Sequence, residues 1–202
     1  AMPARGAEID LVSLYLVYGP LLGAMSIRSE LNADLPYQGH FFNAGNPAYG
    51  FTPAGPVHAQ IAAVNGVMDY MDELHSHHFD DVANATDRAE ALRGLIRDQE
   101  SLLLQPLLDF LADRKGVRLI GKAHAAARAP TVSFSTDRTR SQHIAAKLAE
   151  KNIGAGAGDF YAYRLVEALG YDNADGVVRT SFVHYTSPEE VTRLIEALDQ
   201  LV

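Results

Sequence analysis

The stretch of sequence that decides the fold is Ser13-Leu14-Tyr15-Leu16-Val17-Tyr18-Gly19-Pro20-Leu21-Leu22-Gly23. It continues an apolar run that begins at residue 8, is interrupted at Gly19-Pro20, and resumes over residues 21–27. Glycine followed by proline is a strong turn signal, because neither residue continues a regular element well. Two short apolar runs separated by such a turn predict two buried strands rather than one helix.

The composition of the 202 residues is that of an ordinary globular protein, with 48% hydrophobic and 21% charged residues. The 17 basic and 25 acidic residues give a formal net charge of −8. We therefore expect no binding to nucleic acid and no binding to an anionic membrane surface, because both would be repelled electrostatically. The absence of cysteine excludes disulfides, thiolate metal ligands and persulfide chemistry carried on this chain.

No basic segment followed by an apolar stretch opens the sequence, and no apolar run approaches the length of a membrane span. We expect a soluble protein of the cytoplasm. The Gly- and Pro-rich stretch at residues 39–56 predicts an ordered irregular segment, and long loops of this kind often cover a site.

Helices are predicted over residues 57–75 and 85–115, from apolar residues at three- and four-residue intervals. Pro106 predicts a kink or a break in the second helix, near Gln105. Strands at 117–120, 131–135 and 177–184 alternate with helices at 141–151 and 160–169, and Ser187 is a predicted helix cap. These patterns predict an α/β fold with three parts: 1–56, 57–115 and a small C-terminal α/β domain, 116–202.

Three further motifs do not by themselves indicate a function. The glycines of residues 154–158 follow a helix rather than a strand, so a tight connection is favoured over a phosphate-binding loop. His75 and His78 have the spacing of metal ligands, but the cluster falls at a helix end and predicts no metal site. Arg179 lies in an apolar strand and either faces a cleft to meet a carboxylate or is paired with an internal acid.

The order of several segments resembles class V aminotransferases, the group of the cysteine desulfurases and selenocysteine lyases. Residues 13–23 resemble the pattern Ser-x-Tyr-Lys-x-x-Gly-Pro-His-x-Gly, and the resemblance continues at 38–43, 52–60, 160–162 and 178–190. It implies the C-terminal portion of a fold-type I pyridoxal-phosphate (PLP) enzyme. Such enzymes are about twice as long, and their other half carries the Asp at the pyridine nitrogen and most of the phosphate cup.

The resemblance also implies that family chemistry is lost. Leu16 occupies the position of the lysine that forms the Schiff base, and Leu21 that of the histidine in Gly-Pro-His. An aliphatic side chain forms no imine and transfers no proton, so we expect no cofactor. The alternative that residue 16 is a cofactor-modified lysine written as leucine would restore the tether, but Leu21 and the missing half would remain.

By the same resemblance, Thr52 lies where the family's second subunit reaches the cofactor phosphate, and Arg179 where the family binds the substrate carboxylate. With Tyr15, Leu16, Tyr18 and Leu21, these residues form the predicted ligand pocket. The hypothesis is a homodimeric, cofactor-independent pseudoenzyme that binds, and in one version transforms, an apolar small molecule. Two alternatives stay open: a PLP-dependent lyase or transaminase acting with a partner chain, and a non-catalytic subunit of a full-length relative.

Overall fold

The computed structural model describes residues 7–52, 55–80 and 84–202. Pro53 and Ala54, which belong to one of the quoted segments, lie outside the described residues. The chain divides into two compact units, Ala1–Ala85 and Thr86–Val202, and each is described by itself. The predicted three-part division stays a prediction.

The first unit opens with an antiparallel pair of strands, β1 (Ile9–Ser13) and β2 (Gly23–Ile27). Ile9 pairs with Ile27 at one end of the ladder, and Ser13 pairs with Gly23 at the other. A short 3-10 turn, Leu14–Val17, begins the reversal between the strands. The two predicted strands are therefore present, and the Gly-Pro turn lies in the loop that joins them.

The prediction that these strands are buried is wrong. Neither strand holds a buried residue, and Leu11 in the middle of β1 is 76% exposed. The reason is that the sheet formed by the described residues has only these two strands. A two-stranded ribbon has two open edges and too little surface to enclose its own apolar side chains.

The rest of the first unit consists of two helices and an irregular segment. Helix α1 (Ser29–Asp34) was not predicted, and α2 (His58–His78) confirms the first amphipathic helix with a longer C-terminal end. Hydrogen bonds order the described part of the segment between them: Tyr37 donates its hydroxyl hydrogen to the Asn43 carbonyl at 2.8 Å. The Gln38 N–H donates to the Gly50 carbonyl at 2.9 Å.

The second unit packs helices against a four-stranded sheet. Its elements are α3 (Ala85–Ala112, whose first residue belongs to the first unit), β3 (Val117–Ile120), β4 (Thr131–Thr136), α4 (Ser141–Glu150), β5 (Gly156–Gly158), α5 (Tyr163–Ala168), β6 (Val177–Ser181) and α6 (Pro188–Asp199). The strand order is β3-β4-β6-β5, and every neighbouring pair is antiparallel. Pro106 lies inside α3 and does not divide it into two helices.

Two predicted details of this unit need correction. The glycine run is not merely a connection, because its last three residues form strand β5 on the edge of the sheet. Strand β6 ends at Ser181 rather than continuing to residue 184. The predicted cap of the last helix is confirmed: the Glu190 N–H donates to the Ser187 hydroxyl, and the Ser187 N–H donates to the Glu190 carboxylate.

One hydrophobic core holds the second unit together. Val132, Phe134 and Val178 contribute fully buried side chains from the sheet. The helices supply the other large members, among them Leu104, Leu107, Leu108, Leu111, Ile144, Leu148 and Leu198. Each fully buried side chain of this size stabilises the folded state by about 1.5–3 kcal/mol.

Candidate functional site

The loop between β1 and β2 carries four of the six predicted pocket residues. The Gly19 N–H donates to the Leu14 carbonyl at 2.8 Å, and the Leu14 N–H donates to the Leu22 carbonyl at 2.8 Å. Tyr18 adopts the left-handed conformation, with φ at 67°, where the 3-10 turn ends. These bonds close the loop on itself and fix the backbone of the quoted stretch.

The predicted site residues on this loop all face outward. The side chains of Tyr15 and Tyr18 are 53% and 42% exposed, and those of Leu16 and Leu21 are 71% and 75% exposed. The Tyr18 ring makes an edge-on contact with Tyr70 of α2, with 6.0 Å between ring centroids. The structure therefore brings the four residues together on one ordered turn that presents two aliphatic side chains to solvent.

A cleft of about 550 Å³ lies elsewhere in the first unit. Ile27, Asn32, Leu35, Tyr37 and Phe51 are among its lining residues, which come from the end of β2, from α1 and from the irregular segment. None of the predicted pocket residues lines this cleft, although Thr52 follows Phe51 directly and is exposed. The only signal for it in the sequence was the Gly- and Pro-rich composition of the segment.

Arg179 lies in the second unit, in the middle of β6, with its side chain exposed. Its guanidinium carbon lies 3.8 Å from the ring centroid of Phe160. The residue paired with Arg179 in β5 is Gly156. The contact that the structure gives this guanidinium is thus with an aromatic ring rather than with an internal acid, which is a cation–π geometry.

The segment that supplies this ring has an unusual backbone. Phe160 and Tyr161 both have left-handed φ angles, 52° and 63°, which side-chain-bearing residues seldom adopt. The helix predicted over 160–169 therefore begins only at Tyr163. Phe160 is a residue that helical periodicity misassigned, and no local pattern indicated its contact with Arg179.

The three histidines at the end of α2, His75, His77 and His78, differ in their burial. His75 is only 5% exposed, its Nε2 has no hydrogen-bond partner in the described chain, and its ring lies 5.1 Å from that of Phe79. His77 and His78 are exposed. Within residues 7–52, 55–80 and 84–202, no group of three or more His, Cys, Asp or Glu side chains is arranged to hold a metal ion.

Comparison with known proteins identifies the family. The model of the aminotransferase class-V family matches residues 92–194, which is more than half of the chain. The chain belongs to the class V aminotransferase family.

Curated relatives and solved structures agree with this assignment. The aminotransferase-like protein FGM3 of Gibberella zeae is 29% identical over 98% of this chain and 46% of its own length. A probable cysteine desulfurase of Pseudomonas putida is 29% identical over 98% of this chain and 47% of its own length. The fold is similar to that of the Escherichia coli cysteine desulfurase CsdA, with a TM-score of 0.73, 20% identity and coverage of 96% and 46%.

The chain thus has the α/β fold of the class V aminotransferases and spans about half the length of the relatives it matches. A cysteine desulfurase from Thermococcus onnurineus gives a similar result, with a TM-score of 0.77 at 21% identity over 97% of this chain and 47% of that one. No helix of the described residues is both long and apolar enough to cross a membrane.

The residues on the β1–β2 loop cannot form a Schiff base with PLP. Leu16 has no amine, and residues 1–114 contain no lysine at all. The four lysines, Lys115, Lys122, Lys147 and Lys151, all lie in the second unit. Lys147 donates to the Glu150 carboxylate, and Lys151 donates to Gln200. The first unit therefore offers no lysine side chain that could tether the cofactor.

Proposed function

We propose that this class V aminotransferase family protein forms no Schiff base at residue 16 and uses the β1–β2 loop to bind an apolar small molecule without a cofactor. The observation that supports the proposal is the pair of exposed leucines: Leu16 and Leu21 are 71% and 75% exposed on one hydrogen-bonded turn. These are the positions at which the family pattern has its lysine and its histidine. The turn is retained while its two polar groups are replaced by aliphatic ones.

Apolar side chains on an ordered turn are suited to binding by surface burial. Covering apolar surface contributes roughly 25 cal/mol per Å², so a ligand that covers both leucines gains several kcal/mol before its loss of freedom is counted. The hydroxyls of Tyr15 and Tyr18 supply the polar groups of the same loop. In the version of the proposal that includes a reaction, these hydroxyls stabilise developing charge on the bound molecule. Thr52 and Arg179 remain proposed ligand-binding residues.

Borohydride reduction followed by peptide mass spectrometry tests the absence of a Schiff base at residue 16. The purified chain is titrated with PLP, treated with borohydride and analysed by peptide mass spectrometry. Imines can form on the four lysines of the second unit and on the terminal amine, so the location of the reduced adduct decides the outcome. We expect no adduct on residues 7–52, because this segment has no lysine. The Leu16→Lys variant is the comparison, with Leu11→Lys, at a residue 76% exposed on β1, as its matched control. An adduct at residue 16 of the unaltered chain would contradict the proposal, because it would reveal a modified lysine there.

Methyl NMR tests the ligand. Leucine methyl groups are labelled, and spectra are followed during titration with a series of small hydrophobic compounds. We expect saturable shifts at Leu16 and Leu21, and a loss of binding in Leu16→Ser and Leu21→Ser. Leu11→Ser removes an equally exposed leucine and should leave binding unchanged. Equal losses in all three variants would indicate unspecific adsorption and would overturn the proposal.

A second candidate function comes from the family resemblance; the chain spans 46–47% of the first two curated relatives. In this candidate the chain is a partner subunit, either of a second chain that supplies the PLP-binding groups or of a full-length relative. Pull-down from the native source separates this candidate from the first proposal. A full-length class V protein retained in stoichiometric amount favours the partner-subunit function.

A homodimer in the cytoplasm is also part of the proposal. Large exposed side chains such as Phe41 and Phe42, at 88% and 68%, are typical of surfaces that associate. Sedimentation of the purified chain measures its oligomeric state, and fractionation of the source cells measures its location. A monomer at all concentrations would contradict the homodimer.

A further inference from the structure

Two consecutive left-handed residues carry the Phe160 ring to Arg179. Phe160 and Tyr161 have φ angles of 52° and 63°, in a region that costs energy for any residue with a β-carbon. Asp159 holds this turn in place, because its side chain accepts the Tyr161 N–H at 2.9 Å and its carbonyl accepts the Ala162 N–H at 2.8 Å. Backbone strain that neighbouring contacts maintain is common where a side chain has to be placed for a function.

The guanidinium of Arg179 is covered by a ring on one face and is free at its edge. Its carbon lies 3.8 Å from the ring centroid of Phe160, a separation typical of a guanidinium lying against the face of a ring. In the part of the chain that the structure describes, Arg179 forms no ion pair and its guanidinium donates no hydrogen bond. The N–H groups of a guanidinium lie in its plane, so a ring stacked on the face leaves them directed at solvent.

Arg179 lies among hydroxyl groups on the sheet face away from the core. The residues before and after it in β6 are buried, so the alternation of the strand places Arg179 on the opposite face. Its register partner in β4 is Ser133, and on the same face the hydroxyl oxygens of Thr131 and Ser181 lie 3.1 Å apart. A single cation among hydroxyl groups suits a group with one negative charge, and the parallel N–H donors of a guanidinium match the two oxygens of a carboxylate.

We propose that Phe160 is a positioning residue that holds Arg179 ready to bind a carboxylate. The ring restricts the guanidinium to one plane before the ligand arrives, so less side-chain freedom is lost on binding. Two parallel N–H groups at the guanidinium edge then donate to the two carboxylate oxygens. The proposal rests on the ligand-binding role proposed for Arg179, and it adds the residue that orients this side chain and the kind of group that it binds.

NMR titration of the full chain with butyrate tests the proposal, with n-butanol as the uncharged control. Spectra at constant ionic strength follow the backbone amides and the Nε–Hε signal of Arg179. We expect saturable shifts with butyrate, and Arg179→Lys, which keeps the charge without the planar fork, should lower the affinity about tenfold. Equal binding of n-butanol would overturn the carboxylate as the bound group. If butyrate causes no saturable shift at Arg179 in the unaltered chain, the ligand-binding role of Arg179 and the role of Phe160 are both wrong.

Substitutions at Phe160 isolate the contribution of the ring. Phe160→Leu keeps an apolar side chain without the π face, so the affinity for butyrate should fall about threefold to tenfold. Phe160→Tyr keeps the ring and should keep the affinity within about twofold. Unchanged affinity in Phe160→Leu, with butyrate still bound by the unaltered chain, would overturn the positioning role of Phe160 and leave the role of Arg179 intact.

Substitution of Gly156 gives an independent test if the leucine variant does not fold. Gly156→Ala displaces the Phe160 ring without altering it and should also weaken butyrate binding, whereas Gly154→Ala should not, since a β-carbon there meets nothing within 4 Å. The ring-current shift of the Arg179 Nε–Hε signal should decrease in the variants that lose affinity and persist in the others. A loss of stability alone would not produce this parallel, so its absence would contradict the proposal.

Discussion

The guanidinium of Arg179 lies 3.8 Å above the ring of Phe160. The space for that ring exists because the residue opposite Arg179 in the β5–β6 ladder is Gly156. A β-carbon added at Gly156 would lie 2.7 Å from the Phe160 ring. A glycine in an edge strand, which would otherwise only weaken the sheet, thus permits the aromatic contact of the arginine.

Substitution of the glycine should therefore displace the ring. In Gly156→Ala the new methyl group forces Phe160 away from Arg179, and we expect a loss of about 0.5–1 kcal/mol in unfolding free energy from the cation–π contact. Urea denaturation measures the loss, and the NMR signals of the Phe160 ring report its movement. Gly154→Ala is the matched control, because a β-carbon there meets nothing within 4 Å. Equal effects in the two variants would contradict this account.

The Phe160 ring should account for most of the stabilisation that the Arg179–Phe160 contact provides. Phe160→Leu keeps an apolar side chain but removes the π face, so we expect a destabilisation of about 0.5–1 kcal/mol in urea. The neighbouring Tyr161→Leu should cost less than about 0.5 kcal/mol, since the Tyr161 side chain is fully exposed. In an Arg179→Gln background the cost of Phe160→Leu should shrink, and an undiminished cost would show that the contact is not the cause.

Relief of the left-handed backbone should stabilise the second unit. Tyr161 has φ at 63° and an exposed side chain, so Tyr161→Gly removes steric strain and little else. We expect a gain of about 0.5–1 kcal/mol after the extra flexibility of glycine in the unfolded chain is subtracted. Phe160→Gly relieves a similar angle but also loses the ring, so it should show no such gain. Thermal unfolding compares the two.

Gly176 should tolerate no side chain. Its φ is +65°, and an added β-carbon would lie 2.2 Å from the backbone of Gly158. Strain and overpacking together predict that Gly176→Ala costs about 2–4 kcal/mol. Gly170→Ala has a similar φ of +80° but open space around it, so only about 1–2 kcal/mol is expected. A smaller cost at Gly176 than at Gly170, measured in urea, would contradict the steric argument.

The stability of the second unit should depend on His184 below neutral pH. Partial burial lowers the pKa of His184, so the unfolded chain binds a proton there more readily than the folded one. The stabilising contribution is complete above the ordinary histidine pKa of about 6.5 and is lost as the pH falls below it. His184→Gln should flatten the fall in stability between pH 7 and pH 5. His143→Gln on α4 controls for loss of an exposed imidazole, and an equal flattening there would contradict the assignment.

Local patterns predicted much of the second unit because its signals and its packing agree. The Ser187–Glu190 capping box combines a hydroxyl, a proline and a glutamate at fixed spacing, and the structure confirms it. Strand β5 was missed because glycines carry no strand signal, and its pairing with β6 depends on residues some twenty positions away. The left-handed residues before α5 were missed because strain that tertiary contacts impose leaves no mark on periodicity.

The first unit was harder to predict because exposure is not a local property. The two apolar runs on either side of Gly19-Pro20 indicate strands and a turn correctly, yet whether Leu11 or Leu21 is buried depends on what covers the sheet. The resemblance located Tyr15, Leu16, Tyr18 and Leu21 on one loop, where the structure also has them. It gave no indication of the cleft beside α1, which forms only when β2, α1 and the irregular segment fold together.

The placement of all four lysines after residue 114 has a practical consequence for labelling this protein. Reagents that attach a dye, a biotin or a cross-linker to lysine side chains will label the second unit and leave the β1–β2 loop unlabelled. A single lysine introduced at Leu16 would therefore be the one reactive lysine in the first unit. That gives the loop one defined lysine attachment point within the first unit, so a probe placed there can report on whatever binds beside it.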